Sequence, residues 1–396
     1  MGESWEQYGH RIMSGEALGL AAVALRGICG AAEPFYAGAM SVRNRLYDAG
    51  AFASHSLGRP TLNVGNITAG GTGKTPVVRW LAERLIAEHH RPAILLRGYK
   101  SSAPGQSDEQ QLLDRHLNAA GGERRAIVYA SPSRIDGARF VLADHPEVTL
   151  FILDDAFQHR KAARNLDIVL INAVSPFGYD HVHPRGLLRE PLRGLSRAGA
   201  IVLTHVGEIA ADRRAEIERQ IRRHHPSVTI YRANHVQTGL RTASRDASLP
   251  PDVPLDDLSR RRFFAASGIG SPRSLQRQLA RFDGTFAGHQ WFDDHHHYTA
   301  ADLASVRGQA RSAGAEAIVV TEKDWVKLQP LNSADEDRQL PILRLDVEIR
   351  FENDEGERLL EQVKSVLTAT AGRPAGSSRL TAAVTAETSP RARASR

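Results

Sequence analysis

The chain has 396 residues, 41% hydrophobic and 24% charged, which is enough apolar material for the cores of two or three globular domains. Its single cysteine, Cys29, excludes a disulfide framework and a cysteine-rich zinc site and suits a reducing compartment. The net charge of +6 gathers at one end: from Ala371 onward Arg373, Arg379, Arg391, Arg393 and Arg396 face one acid, Glu387, leaving +2 for residues 1–370, so the body gives nucleic-acid binding little support.

In chain order, the first predicted element is a helix in GEALGLAAVALRGICGAA. Leu18, Ala22, Leu25 and Cys29 recur there at i, i+4, i+7 and i+11. Arg26 interrupts it, so it falls short of the roughly 18 apolar residues of a spanning helix, and it reads as no secretory signal. Two readings stand. The helix either packs on the body or lies in a membrane interface, with Arg43 and Arg45 following as anionic headgroups favour.

TLNVGNI (61–67) reads as a strand, and PVVRWLAERLIAEH (76–89) as an amphipathic helix. PAILLRGY (92–99), AIVYA (126–130), VTLFILDD (148–155), LDIVLINA (166–173) and AIVLTHV (200–206) are further strands. Their apolar runs are continuous rather than alternating, so both faces are covered. The expected class is α/β, a doubly wound, mostly parallel sheet of the P-loop NTPase kind. A smaller α/β unit follows from near residue 228. It contains RRFFAASGIG (261–270), a helix from about Ser271, and EAIVVTEKD (316–324). SVTIYRANHV (227–236) and LPILRLDVEIRF (340–351) flank it and are expected to pair as a two-stranded connector; DEGERLLEQVKSVLTA (354–369) is a final helix. The expected division is 1–50 helical and membrane-facing, 51–227 the phosphate-loop domain, 228–370 the smaller domain, and 371–396 a disordered basic tail.

Between the first strand and the first amphipathic helix lies NITAGGTGKTP. Gly73, Lys74 and Thr75 fit the end of a phosphate-binding loop, while Thr68 holds the slot of the leading glycine and Gly70 and Gly71 lie within. Backbone N–H groups of Thr68, Gly70, Gly71, Thr72 and Gly73 and the helix N-terminus suit phosphate oxygens. Lys74 suits the β- and γ-phosphates, and the Thr75 hydroxyl suits Mg²⁺. LFILDDAFQHR sets Asp154 and Asp155 at the end of a strand, where alternation turns them to opposite sides; one can support Mg²⁺ and the other face the substrate. Asp108 and Glu109 begin a helix after RGYKSSAPGQS; the pair is either a helix-start signal or a general base for a sugar hydroxyl. WFDDHHHYT (291–299) admits three readings: a metal site, an exposed polar loop, or a histidine that tunes a carboxylate base. In PRGLLREPLRGLSRA, Arg189 and Glu190 can bind a polar head or form an internal ion pair, and the pair is preferred.

VGNITAGGTGKTP, RGYK, SDEQQLL, LDDAFQHR, PFG…LREPL, GIGSP, DHHHY and VTEKDWVKL occur in this order. Together they resemble the tetraacyldisaccharide 4′-kinase family over most of residues 40–330. The resemblance implies ATP- and Mg²⁺-dependent phosphorylation of the 4′-hydroxyl of a tetraacyl disaccharide 1-phosphate, giving the bis-phosphorylated lipid A precursor. It implies Lys74 and Thr75 as phosphate and Mg²⁺ groups, Asp154 as a metal group and Asp155 as part of the catalytic acidic strand end. Asp108 matches the family's base and His295 its partner, with His296 adjacent. Arg189, Glu109 and Gln158 fall on the substrate side. The resemblance also implies an N-terminal helix on the cytoplasmic face of the bacterial inner membrane, a lipid disaccharide as partner, and no obligate protein partner. Ala156 and Ser107 stand where the family usually has glycine. The alternative is a membrane-associated partitioning-type P-loop ATPase; Ala69 in the slot of its dimer-bridging lysine argues against it.

Overall fold

The computed structural model of the protein describes residues 5–98, 108–118, 123–269, 272–282, 285–293 and 296–371. Helices α1 (Trp5–Ser14) and α2 (Leu20–Asp48) precede β1 (Thr61–Asn66), α3 (Lys74–Ala87), β2 (Pro92–Leu96), α4 (Asp108–Leu117) and β3 (Ile127–Ala130). Next come α5 (Arg134–Asp144), β4 (Leu150–Asp154), β5 (Leu166–Asn172), β6 (Ala200–Thr204), α6 (Ala211–His224) and the long β7 (Thr229–Arg241). The remainder is β8 (Phe263–Ser267), α7 (Pro272–Leu279), β9 (Phe286–Trp291), α8 (Ala300–Ser312), β10 (Ala317–Thr321), α9 (Glu322–Leu328), α10 (Ala334–Gln339), β11 (Ile342–Phe351) and α11 (Glu355–Ala371).

All described strands join one sheet in the order β3-β2-β4-β1-β5-β6-β7-β11-β10-β8-β9. Every neighbouring pair is parallel except β7 with β11, which run antiparallel. The class is therefore α/β with a P-loop-like first half, a smaller second half, and β7 and β11 as the two-stranded connector. Helices α3, α4 and α11 cover one face of the first half, where Leu81, Leu113 and Leu359 share a core with Leu62 and Ile152. Helices α5 and α6 cover the other face. Two covers explain the unbroken apolar strands.

Two expectations change. The final helix is expected in the second unit, yet Leu359, Val363 and Leu367 of α11 pack into the first unit's core. The reason is direction: β11 runs back along β7, so it delivers the chain to the first half. The helix expected in GEALGLAAVALRGICGAA is α2, which starts only at Leu20 after Gly19 at φ 104°, so Leu18 is not on the face assigned to it. Ala22 and Ser41 are the buried residues of α2, while Leu20 (91%) and Phe35 (80%) stand exposed. No described helix is long and apolar enough to cross a membrane.

Candidate functional site

The phosphate loop leaves β1 at its C-terminal end, the edge where open parallel sheets bind ligands. Two positions demand glycine: Gly70 at φ 102° and Gly73 at φ 74°, a left-handed region that costs other residues. Pro76 falls in the first turn of α3, where its missing N–H loses nothing. Among the described residues the crest is open, since a Cβ at Gly70 or Gly71 meets none of their atoms within 4 Å.

Side chains and a neighbouring strand-like segment fix the loop's base. Thr72 Oγ1 accepts from Asn66 Nδ2 at 3.0 Å, and Thr204 Oγ1 donates to the Thr72 carbonyl at 3.3 Å. Thr68 bridges Leu188; Ala69 N–H donates to the Leu187 carbonyl at 2.7 Å and Arg189 N–H to the Ile67 carbonyl at 2.8 Å. Thr68 and Thr72 are thus buried, and what they can offer a phosphate is backbone.

Asp154 ends β4 and Asp155 is the first residue beyond it. Asp155 leaves the strand at φ 53°, and both carboxylates feel Lys74 and Arg134. Asp155 Oδ1 is 3.6 Å from Lys74 Nζ and 2.8 Å from an Arg189 guanidinium nitrogen. Burial works to raise the Asp155 carboxyl, but Lys74 and Arg189 outweigh it and hold it below the ordinary carboxylate range. Asp154 is the opposite. Burial, then the charge of Glu109, pushes its carboxyl up to about 7, and its Oδ1 is buried with no hydrogen-bond partner among the described residues.

The expected Arg189–Glu190 pair does not form. Consecutive residues in an extended segment point apart, so Arg189 reaches Asp155 while Glu190 turns inward. Glu190 is fully buried and takes Arg197 at 2.8 Å, Asn44 at 2.7 Å and Gln158 at 3.1 Å. Gln158, a substrate-side candidate, also donates to the Asn66 carbonyl at 3.0 Å, so it braces the end of β1. Helix α2 is bound to this rear wall, with Tyr36 OH donating to the Arg189 carbonyl at 3.1 Å.

Asp108 is the first residue of α4, and Glu109 follows it close enough to raise Asp154. His295 and Asp294 lie outside the described residues, as do residues 372–396 of the tail. His296 is described and committed elsewhere: its Nε2 lies 3.2 Å from Asp302, in the capping box of α8. Among the described residues no three His, Cys, Asp or Glu side chains gather as a metal cluster.

Sequence reading missed Arg134. It is buried, donates to the Asp154 carbonyl at 2.7 Å and to the Ser131 carbonyl at 3.1 Å, and burial draws its guanidinium down to about 10. Its signal was available: an arginine at a helix start just after β3, on the ligand-binding edge.

The sequence profile described as tetraacyldisaccharide-1-P 4′-kinase matches residues 31–365. The chain belongs to the tetraacyldisaccharide-1-P 4′-kinase family. A tetraacyldisaccharide 4′-kinase of Anaeromyxobacter dehalogenans is 34% identical over 334 residues, 80% of this chain and 85% of that protein. One from Chlorobaculum tepidum is 35% identical over 331 residues, 79% and 88% of the two chains. A crystal structure of LpxK from Aquifex aeolicus in complex with ATP matches with a TM-score of 0.64 at 25% identity, covering 87% of this chain and 99% of that one. Membership of this 4′-kinase family makes the chain an enzyme and leaves the partitioning-ATPase alternative unfavoured.

Proposed function

We propose that this chain transfers the γ-phosphate of ATP to the 4′-hydroxyl of a tetraacyldisaccharide 1-phosphate, giving the bis-phosphorylated lipid A precursor, lipid IVA. The observation that carries the reading is an open glycine loop set beside two carboxylates in unequal states. Asp155 is ionised between Lys74 and Arg189; Asp154 is buried with an oxygen unbonded among the described residues.

The loop's backbone N–H groups and the α3 N-terminus receive the β- and γ-phosphates, with Lys74 between them. Asp155 orients Lys74 and shares its oxygen with Arg189, the substrate-side cation. The residues fit Mg²⁺, which takes oxygen donors and keeps several waters: the orphaned Asp154 oxygen and the Thr75 hydroxyl would hold it. When bound, the ion neutralises charge on the phosphates. Asp108, at the start of α4, takes the proton of the 4′-hydroxyl as its oxygen bonds to the γ-phosphorus and the bond from that phosphorus to the β-phosphate oxygen breaks, releasing ADP, and His295 partners it. Glu109 stands on the same side, and Gln158 braces the wall behind.

The exposed apolar residues of α2 support a peripheral seat on the cytoplasmic face of the bacterial inner membrane, where the acyl chains of the substrate remain. The test is transfer of radiolabelled γ-phosphate to a tetraacyldisaccharide 1-phosphate in detergent micelles, comparing the unaltered chain with Lys74→Ala. Label on the lipid with the unaltered chain alone is expected. ATP hydrolysis with no labelled lipid would overturn the acceptor.

A further inference from the structure

The phosphate loop is held from behind by a histidine that takes no part in the mechanism above. The space a Cβ on Gly73 would need is filled by the ring of His235. His235 lies on β7, the connector strand, and its Nε2 is 3.3 Å from the Gly73 carbonyl oxygen. A carbonyl only accepts, so Nε2 carries the hydrogen and donates it. Nδ1 is buried with no partner among the described residues, so a second proton there would be an orphaned donor. Burial, with His205 adding to it, pushes the imidazole down to about 3, which keeps the donor neutral.

The ring does not stand alone. His205, directly after β6, stacks on it with centroids 4.4 Å apart. His205 Nδ1 is 2.8 Å from the Glu208 carboxylate. Glu208 accepts from Gln278 at 3.2 Å and lies 3.5 Å from Arg277, both on α7 of the second unit. Gln278 also accepts from Gln237, two residues along β7 from His235, at 3.0 Å. A chain of contacts therefore runs from α7 through Glu208 and the stacked rings of His205 and His235 to the carbonyl that closes the phosphate loop.

Glycine takes positive and negative φ about equally, so nothing local selects the left-handed turn at Gly73. With Gly70 and Gly71 nearby, the free loop has many shapes to lose when it closes on phosphate. A ring packed on the Gly73 Cα and a hydrogen bond to its carbonyl remove that freedom beforehand, which raises affinity without a new contact to the ligand. We infer that His235 is a positioning residue for the nucleotide: it fixes the turn at Gly73, and α7 holds it there through His205 and Glu208. This rests on the reading of the loop as the ATP site.

The experiment uses the full chain. It measures Kd for a non-hydrolysable ATP analogue with Mg²⁺ by calorimetry, KM for ATP and for the lipid, and the urea midpoint. His235→Phe keeps the ring and loses the donor; His235→Gln keeps a donor near the Nε2 position. His235→Phe is expected to weaken analogue binding and raise KM for ATP three- to tenfold, roughly the worth of one hydrogen bond, with KM for the lipid within about twofold. His235→Gln is expected to recover most of that loss, and Glu208→Gln to show a loss of about two- to threefold in the same direction. Unchanged analogue binding in His235→Phe overturns the inference, as does equal weakening in Phe and Gln, which would mean packing alone. No effect of Glu208→Gln removes α7 from it. Failure of the unaltered chain to bind the analogue overturns the ATP-site reading and the inference together.

Discussion

Two strand ends in this sheet look alike and behave differently. In each half a parallel strand runs into a glycine-containing loop with a buried aspartate beside it: Asp154 near the loop after β1, Asp324 near the loop after β8. Asp324 is fully satisfied. It accepts from Ser267 Oγ at 2.6 Å, Gly268 N–H at 2.9 Å, Tyr298 OH at 2.9 Å and Thr321 Oγ1 at 2.6 Å. Asp154 has a buried oxygen with no such partner among the described residues, and its carboxyl is raised to about 7. A buried carboxylate with four donors closes two loops onto one point and holds fold. One left unpaired beside a lysine and an open loop costs stability, and such a cost marks a site kept for a ligand.

That contrast can be broken most sharply at Lys74. Lys74→Ala removes the cation proposed to meet the phosphates and is expected to lower kcat by about 10²–10³ in the phosphoryl-transfer assay. The urea midpoint is expected to fall only slightly, because Asp155 loses one of its two cations but keeps Arg189. Next comes the pair of aspartates. Asp154→Asn is expected to lower kcat by at least about tenfold while the urea midpoint holds or rises, since it removes a buried carboxyl whose charged form burial penalises. Asp324→Asn is expected to do the reverse and destabilise the fold by about 2–4 kcal/mol, as an amide NH₂ replaces an oxygen that accepts from surrounding donors. Equal stability losses in the two variants would erase the distinction drawn here.

The sequence carried the first of these edges well and the second poorly. The β1–loop–α3 segment is legible because its glycines, lysine and flanking apolar runs are contiguous, and the acidic strand end is legible because Asp154 terminates an unbroken apolar strand. What escaped reading depends on crossovers. Arg189 finds Asp155, 34 residues away, rather than its neighbour Glu190, and Glu190 finds Asn44 across 146 residues. His235 meets Gly73 across 162 residues because β7 and the phosphate loop share one edge. No local spacing encodes which strands lie side by side, so partners set by sheet order are invisible until the order is known.

The seam between the two edges gives a smaller effect, in acid. His235 lies behind the loop, and His116 sits at the end of α4 near Arg79, Asp346 and Arg241. Burial lowers both imidazoles below the ordinary value of 6.5. The unfolded chain therefore binds protons below pH 6.5 that the native chain refuses. Stability is complete above that pH and falls as the solution is acidified toward the folded values, by at most about 1.4 kcal/mol per pH unit for each histidine. Urea midpoints at pH 7 and pH 5 are expected to converge in His116→Gln and His235→Gln. An unchanged acid slope in both would place the lability elsewhere.

The smallest effect concerns the part of the chain that neither edge explains. Along α2, Leu20, Ile28, Phe35 and Val42 recur at intervals of seven or eight and so share one side of the helix, and all four are exposed. On the rear of the site the same helix is held by hydrogen bonds from Tyr36, Arg43 and Asn44, so the stripe is exposed on a helix that is otherwise well fixed. Full burial of each large apolar side chain is worth about 1.5–3 kcal/mol, and an interfacial helix recovers part of it. Leu20→Ser with Phe35→Ser is therefore expected to lower partition onto anionic vesicles by about tenfold, with the urea midpoint unchanged because neither residue touches a core. The stripe has a rival use, as a contact between two copies of the chain. The double variant separates them: vesicle binding retained with a loss of self-association would assign α2 to a dimer, whereas loss of vesicle binding at constant molecular mass ties the phosphate-loop edge to the surface on which its acylated substrate lies.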